Sequence, residues 1–142
     1  MKKLINTAIF YGIFALVSGV FYREITKITD FYGGTNLSLL HTHLFVMGMF
    51  FFLILTVIEK NFQISKHKRF SLFCWLYNGG LMLSIFMLLI RGFIQMNETL
   101  LNKGMDAAMA GISGIGHIIL NIGLMGLLFI VRKQIISQTD AQ

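Results

Sequence analysis

The chain has 142 residues, of which 56% are hydrophobic and 13% are charged, and its formal net charge is +6. Soluble domains carry about 25% charged residues, so this composition excludes an ordinary soluble domain. The positive charge does not indicate nucleic-acid binding, because the basic residues stand in short clusters between long apolar runs.

Four apolar runs, nearly free of charge, are separated by short polar loops. They cover residues 4–22, 37–58, 70–91 and 107–131. Each is about 20 residues long, enough to cross a hydrocarbon layer of about 30 Å as a helix. The sequence therefore predicts a single all-α domain over residues 1–142, an integral membrane bundle of four helices that run alternately up and down. Because the chain has no proline, we expect the helices to be continuous.

The first run resembles the apolar core of a signal peptide, because Lys2 and Lys3 precede it. It is long for such a core, however, and it ends in Val-Phe-Tyr-Arg without the small residues of a cleavage site. We therefore expect it to be retained as the first membrane helix.

Basic residues are divided unequally between the two ends of the predicted helices. The side of the N-terminus would hold Lys2, Lys3, Lys60, Lys66, Lys68, Arg69, Arg132 and Lys133. The other side would hold Arg23, Lys27, Arg91 and Lys103, which acidic residues nearly balance. Lys and Arg are enriched on the cytoplasmic side of membrane proteins. This pattern predicts a multi-pass protein of the bacterial cytoplasmic membrane with both termini in the cytoplasm.

The second run contains two histidines near one end, in the stretch LLHTHLFVMGMFFFLILTVIE over residues 39–59. Residues two apart on a helix differ by about 200° in direction, so His41 and His43 point to nearly opposite sides. They cannot both bind one ion from a regular helix. We expect one of them to face the centre of the bundle, and the other to face a neighbouring helix, another subunit or lipid.

The third run ends at Arg91, and the fourth contains His117 among several glycines. His43 and His117 lie about 15 residues from the cytoplasmic ends of their helices, so their depths are nearly equal. In an up-down bundle the second and fourth helices are placed diagonally, and His43 and His117 could then face each other across the interior. Asn78 and Asn121 could form a polar layer beneath them.

Three interpretations of these histidines stay open. They could be structural, with each imidazole bonded to a backbone carbonyl. They could bind haem b, since two neutral imidazoles are a common axial pair for haem iron, and Arg91, about 9 Å above them, is within reach of a haem propionate. They could bind copper, because the thioethers of Met47 and Met49 suit Cu(I). The sequence favours haem b, with axial ligands His43 and His117 and with His41 as the alternative.

The segments HTHLFVMGMFFFLI, NGGL, IRG and GISGIGH resemble a family of small uncharacterised bacterial four-helix membrane proteins, which brings no known activity. The H-x-H of residues 41–43 is also similar to a helix of haem-copper oxidase subunit I, whose two histidines bind different haems on opposite sides. Those oxidases arrange twelve helices in three arcs of four, and this resemblance implies three copies of the present chain. The chain has no adjacent His-His pair for a copper centre, so oxygen reduction by it alone is not expected.

We therefore predict a haem-b-binding membrane protein that works with a redox partner in electron transfer or in the handling or sensing of a diatomic gas. The alternatives are a non-catalytic accessory or structural membrane protein and a copper-binding protein. The histidine that points away from the bundle would be costly in lipid, which offers it no hydrogen-bond partner. This predicts a homo-oligomer, with a trimer slightly ahead of a dimer.

Overall fold

A computed structural model describes residues 1–139. This part of the chain contains four long helices and no strand, in the order α1 (Lys2–Ile28), α2 (Asn36–Phe62), α3 (Phe70–Met96) and α4 (Lys103–Thr139). Each is long and apolar enough to cross a membrane. The prediction of an all-α, multi-pass membrane protein is confirmed. The helices extend beyond the predicted apolar runs because Lys, Arg and Glu at their ends are good helix formers.

Adjacent helices run in opposite directions. Along the interface between α1 and α2, Gly12 lies beside Met49, and Gly19, further along α1, lies beside His41, which is earlier in α2. Between α3 and α4 the order is also reversed, since Gly80 meets the backbone of Leu120 while Phe73 meets Gly126. The up-down arrangement of the four helices follows from these contacts.

α3 and α4 form the closest helix pair. A methyl group at Gly80 would collide with the Leu120 backbone, and one at Gly123 would collide with the Tyr77 backbone. Small residues at an interface let two membrane helices approach each other closely. Gly111 and Gly114, by contrast, have no atom within 4 Å of an added Cβ. The glycines of α4 therefore divide into packing positions and open positions.

The bundle is an open arc and not a closed square. α2 contacts each of the other three helices. Within the part of the chain that the structure describes, no Cα atom of α1 lies within 8 Å of one in α3 or α4. Contacts at this distance between α2 and α4 are confined to the Phe51–Phe62 segment of α2. Above that segment, no Cα atoms of α2 and α4 lie within 8 Å of each other among the described residues, so the two helices separate.

α2 is irregular, contrary to the expectation of a continuous helix. It begins as a 3₁₀ turn at Asn36–Leu39, is α-helical over Leu40–His43, becomes a π-helix over Leu44–Phe50 and ends as an α-helix over Phe51–Phe62. A π turn accommodates about one extra residue in a helix and is often found at functional sites. The absence of proline does not prevent it.

Aromatic side chains from three helices pack beside the π turn. The Phe51 and Tyr77 rings stack with their centroids 4.1 Å apart, and the Tyr11 and Phe52 rings are 5.8 Å apart. Gly48 leaves room for the Tyr11 ring, since an added Cβ would come within 2.5 Å of it. This aromatic layer joins α1, α2 and α3 at the level where the backbone is irregular.

Candidate functional site

His43 and His117 make the same local hydrogen bond. Nδ1 of His43 lies 2.9 Å from the carbonyl oxygen of Leu39, and Nδ1 of His117 lies 2.8 Å from that of Ser113, in both cases four residues earlier. A carbonyl oxygen only accepts, so in each neutral ring Nδ1 carries the proton and donates it. The lone pair of Nε2 is then available. Metal-ligating histidines commonly use this arrangement.

Both histidines lie above the contact between α2 and α4. Below them, Phe51, Ile54, Leu55 and Ile58 of α2 and Leu124, Leu127, Leu128 and Val131 of α4 line an apolar cleft of about 290 Å³. α2 and α4 run parallel because each is antiparallel to α3, as the contacts of Leu37 with Gly92, Met47 with Tyr77 and Leu120 with Gly80 show. His43 lies eight residues before Phe51, and His117 lies seven residues before Leu124, which is about 10 Å along each helix. By this count their depths would be similar, and the equal depth of the pair stays a prediction.

The directions of the two histidines also correspond. His117 and Leu124 are seven residues apart and differ by only about 20° around α4. The eight residues from His43 to Phe51 include the π turn, which absorbs about one residue, so these side chains share a face of α2. Each histidine thus lies on the helix face that leads down to the α2–α4 cleft. In a regular α2, the side chains of His43 and Phe51 would differ in direction by about 80°.

The structure does not place His43 and His117 in a closed interior, contrary to the prediction. His117 is exposed and His43 is half-buried, because the helices form an open arc and α2 and α4 separate at this level. At the level of the histidines, no Cα atom of α2 lies within 8 Å of one in α4 among the described residues. The sequence prediction assumed a closed four-helix square, in which α2 and α4 would enclose a core along their whole length.

His41 lies on the other side of α2, as the rotation argument predicts. Its Cβ is 3.7 Å from the position that a Cβ on Gly19 of α1 would take. Its Nδ1 is buried and has no hydrogen-bond partner among the described residues. The neighbour that His41 faces is therefore α1. His41 is not grouped with His43 and His117.

Arg91 forms an ion pair that the sequence analysis missed. Its guanidinium Nη2 lies 2.9 Å from Oδ1 of Asp106, which joins the end of α3 to the start of α4. Both side chains are partly exposed. Because the two residues flank the loop between these helices, their positions in the sequence could have indicated the ion pair. Arg91 has five N–H donors, so one bond to Asp106 leaves others free.

The two intramembrane asparagines do not form a layer together. The Tyr11 hydroxyl donates to Oδ1 of Asn78 at 2.7 Å, and Nδ2 of Asn78 donates to the carbonyl of Cys74 at 2.8 Å. Asn121 lies on the exposed surface of α4. Asn78 therefore connects α3 to α1 and not to α4.

The structure brings no larger set of metal ligands together. Among residues 1–139, no three His, Cys, Asp or Glu side chains form a group that could hold a metal ion. The thioether of Met49 packs at Gly12 of α1, about 3.0 Å from an added Cβ there. It is therefore used in the α1–α2 interface. A haem needs only two axial side chains, and among the described residues the hydrogen bonds of the His43 and His117 rings involve Nδ1 only.

Comparison with known proteins identifies a family. The family described as "Protein of unknown function (DUF2871)" matches residues 1–134. The chain belongs to the DUF2871 family. Searches of curated proteins and of solved structures each gave no match for this DUF2871 protein. The resemblance to an uncharacterised family is thus confirmed, while the similarity of residues 41–43 to haem-copper oxidases stays a prediction.

Proposed function

We propose that this DUF2871 protein binds haem b through His43 and His117 and works in electron transfer or in the handling or sensing of a diatomic gas. The observation that carries the proposal is the pair of matching hydrogen bonds from Nδ1 to the carbonyl four residues earlier. Each bond fixes the tautomer and the ring orientation and makes Nε2 a better ligand.

The position of these histidines argues against a purely structural role. His117 is exposed on a helix long and apolar enough to cross the membrane, where an unused imidazole would face lipid. Ionisable residues within membrane helices are rare and usually functional. Packing does not explain why two of them make the same hydrogen bond at positions that residue counting puts at similar depth.

The gap between α2 and α4 suits a flat apolar group. The helices meet at the cleft below and separate at the histidines, so a ligand plane could stand between the two walls. A bound haem supplies reversible one-electron chemistry and a site for a diatomic gas. The chain would hold the iron through two imidazoles and keep water away with its aromatic and aliphatic side chains. Arg91, on α3, would offer its free N–H groups to a propionate.

We also propose that the protein assembles as a cyclic homo-oligomer, with a trimer slightly ahead of a dimer. The sequence argument assigned the outward histidine to a subunit interface. His41 lies against α1 in the structure, so the support for an oligomer is the exposed surface of α4 around His117. A second copy would shield its surroundings from lipid, including the exposed side chains of Ile115 and Ile118. Three copies would give the twelve helices that the oxidase resemblance implies.

The proposed location is the bacterial cytoplasmic membrane, with both termini in the cytoplasm and a redox partner at one surface. The antiparallel order of the helices gathers the residues of the basic clusters at a single end of the bundle. Lys2, Lys66 and Arg132, for example, belong to the start of α1, the loop before α3 and the last turns of α4. Such a bias supports this orientation.

The absorption spectrum of the detergent-purified protein, supplied with haem b, tests the haem proposal. We expect a Soret band and sharp α and β bands after reduction. His43→Ala and His117→Ala should each remove or strongly alter these bands. His67→Ala is the matched control, because His67 lies in the loop before α3, where its ring Nδ1 accepts the N–H of Arg69 at 3.3 Å.

The result that would overturn the proposal is a folded wild-type protein that stays colourless, or bands that survive both substitutions. The non-catalytic accessory protein would then be favoured. Bound copper, measured by elemental analysis and lost in His43→Ala, would favour the copper site.

A further inference from the structure

A groove of about 1080 Å³ runs between α1 and α3, on the side of the bundle away from α4. It begins where both helices begin, at Lys2 and Phe70, and it reaches Tyr11 on α1 and Met82 on α3. Its volume is at the upper end of the range of about 300–1,000 Å³ typical of ligand pockets. The groove exists because α1 and α3 have no close backbone contact.

The length of the groove matches one leaflet of a membrane. From Ser71 to Met82 the groove follows α3 for about 17 Å, which is close to half of a hydrocarbon layer of about 30 Å. About 15 Å further along, α1 and α3 meet, because the ring centroids of Phe21 and Phe93 are 6.0 Å apart. A transmembrane helix of a second copy would need the whole thickness. An occupant one leaflet long fits the groove better.

The charged end of the groove is entirely basic. Lys2 and Lys3 line its mouth, and no acidic side chain lines it among residues 1–139. The Ser71 hydroxyl also lies there. Glu59 is buried behind the groove, where its carboxylate accepts bonds from the backbone N–H and the hydroxyl of Ser65. This end of the groove therefore suits an anionic phosphate group.

The remainder of the groove is apolar and open to the membrane. Trp75 is 76% exposed, and Phe10 and Met82 are also exposed along the walls. Gly79 keeps the space free, since an added Cβ would meet no atom within 4 Å. The inner end is formed by the hydrogen-bonded pair of Tyr11 and Asn78. Acyl chains of one leaflet would cover these apolar surfaces.

We infer that the groove binds one anionic glycerophospholipid of the leaflet at the basic end of the bundle. Its phosphate lies at Lys2, Lys3 and Ser71, and its acyl chains lie along Phe10 and Trp75. The basic end favours an anionic lipid over a zwitterionic one. The length of one leaflet favours a lipid over a transmembrane helix. The site does not depend on the haem, which is proposed for the opposite part of the bundle.

Native mass spectrometry of the full-length, delipidated protein tests this inference. Phosphatidylglycerol or phosphatidylcholine is added back, and the fraction with one bound lipid is measured. We expect phosphatidylglycerol to be retained more strongly. Lys2→Gln with Lys3→Gln should reduce its retention roughly 25-fold, because each basic residue near a membrane surface contributes about fivefold to the attraction. Gly79→Leu should abolish binding by filling the groove.

Two matched variants serve as controls. Arg132→Gln with Lys133→Gln removes the same charge near the end of α4, and Gly111→Leu adds the same side chain at another open position. Both should bind phosphatidylglycerol as the wild type does. Equal retention of the two lipids would overturn the inference, as would equal effects of Gly79→Leu and Gly111→Leu. Dissociation of an oligomer by Gly79→Leu, with lipid binding unchanged, would assign the groove to a second copy instead.

Discussion

The hydroxyl of Tyr77 donates a hydrogen bond of 2.7 Å to the carbonyl oxygen of Met47, inside the π turn of α2. Backbone carbonyls must be satisfied within a membrane, and a π turn disturbs the regular ladder that normally satisfies them. The bond from α3 therefore stabilises the irregular segment. Because that segment sets the direction of His43, Tyr77 connects the packing of α3 to the proposed ligand.

Tyr77→Phe should destabilise the protein and disturb the site. It leaves the carbonyl of Met47 without its partner, which costs about 1–3 kcal/mol for a buried group. We expect a lower thermal unfolding temperature in detergent and, in the haem-loaded protein, altered α and β bands. Tyr32→Phe is the control, since Tyr32 is 94% exposed. Unchanged unfolding and unchanged bands in Tyr77→Phe would show that the π turn does not need this bond.

Two glycines of α4 should respond in opposite ways to the same substitution. Gly123→Ala places a methyl group against the Tyr77 backbone, so α3 and α4 must separate; overpacking of this kind costs about 1–3 kcal/mol. Gly114→Ala meets open space, and alanine is favoured over glycine within a helix by about 1 kcal/mol. Thermal unfolding of both variants decides the point. Equal effects would contradict the close packing of α3 on α4.

The orientation of the protein can be tested by labelling single cysteines in intact cells. In a Cys74→Ala background, Lys66→Cys should stay unlabelled by a membrane-impermeant reagent, because Lys66 belongs to the predicted cytoplasmic side. Lys103→Cys, at the start of α4 on the other side, should be labelled. The reverse pattern would show that the charge bias has been misread.

The sequence predicted the elements of this fold better than their arrangement. Hydropathy alone identifies four spans, because the lipid requirement for apolar side chains and satisfied backbone groups leaves few alternatives. It does not say whether four helices close into a square, and the exposed position of His117 follows from the fact that they do not. That outcome depends on contacts between distant residues, such as Gly80 with Leu120.

The candidate residues of the site were chosen from the sequence alone, whereas the directions of their side chains depend on the fold. The depth of His43 and His117 follows from counting residues along two helices. The rotation count that turns His43 toward the face of Phe51 requires the π turn, which no local sequence signal predicts. Two contacts accompany the π turn: Gly48 packs beneath the Tyr11 ring, and Tyr77 donates a hydrogen bond to the Met47 carbonyl. Both are interactions between helices. In a regular α2 helix, the side chain of His43 would point in a different direction.

The ion pair between Arg91 and Asp106 allows a test of the proposed role of Arg91. Partly exposed ion pairs contribute about 0–1 kcal/mol to stability, so neither Arg91→Ala nor Asp106→Asn should change unfolding much. If Arg91 also contacts a haem propionate, Arg91→Ala should weaken haem retention and lower the reduction potential, since removing a positive charge favours the oxidised iron. Asp106→Asn should raise the potential, because it removes a negative charge near the same group.

Potentiometric titration of the haem-loaded variants measures these shifts. Lys103→Gln is the control, since it removes one positive charge at the same end of the bundle, from a residue at the start of α4. A shift in Arg91→Ala that clearly exceeds the shift in Lys103→Gln would place the guanidinium close to the haem, because the Coulomb energy falls with distance and exposed charges are screened within about 10 Å. Equal small shifts in all three variants would restrict Arg91 to its ion pair with Asp106.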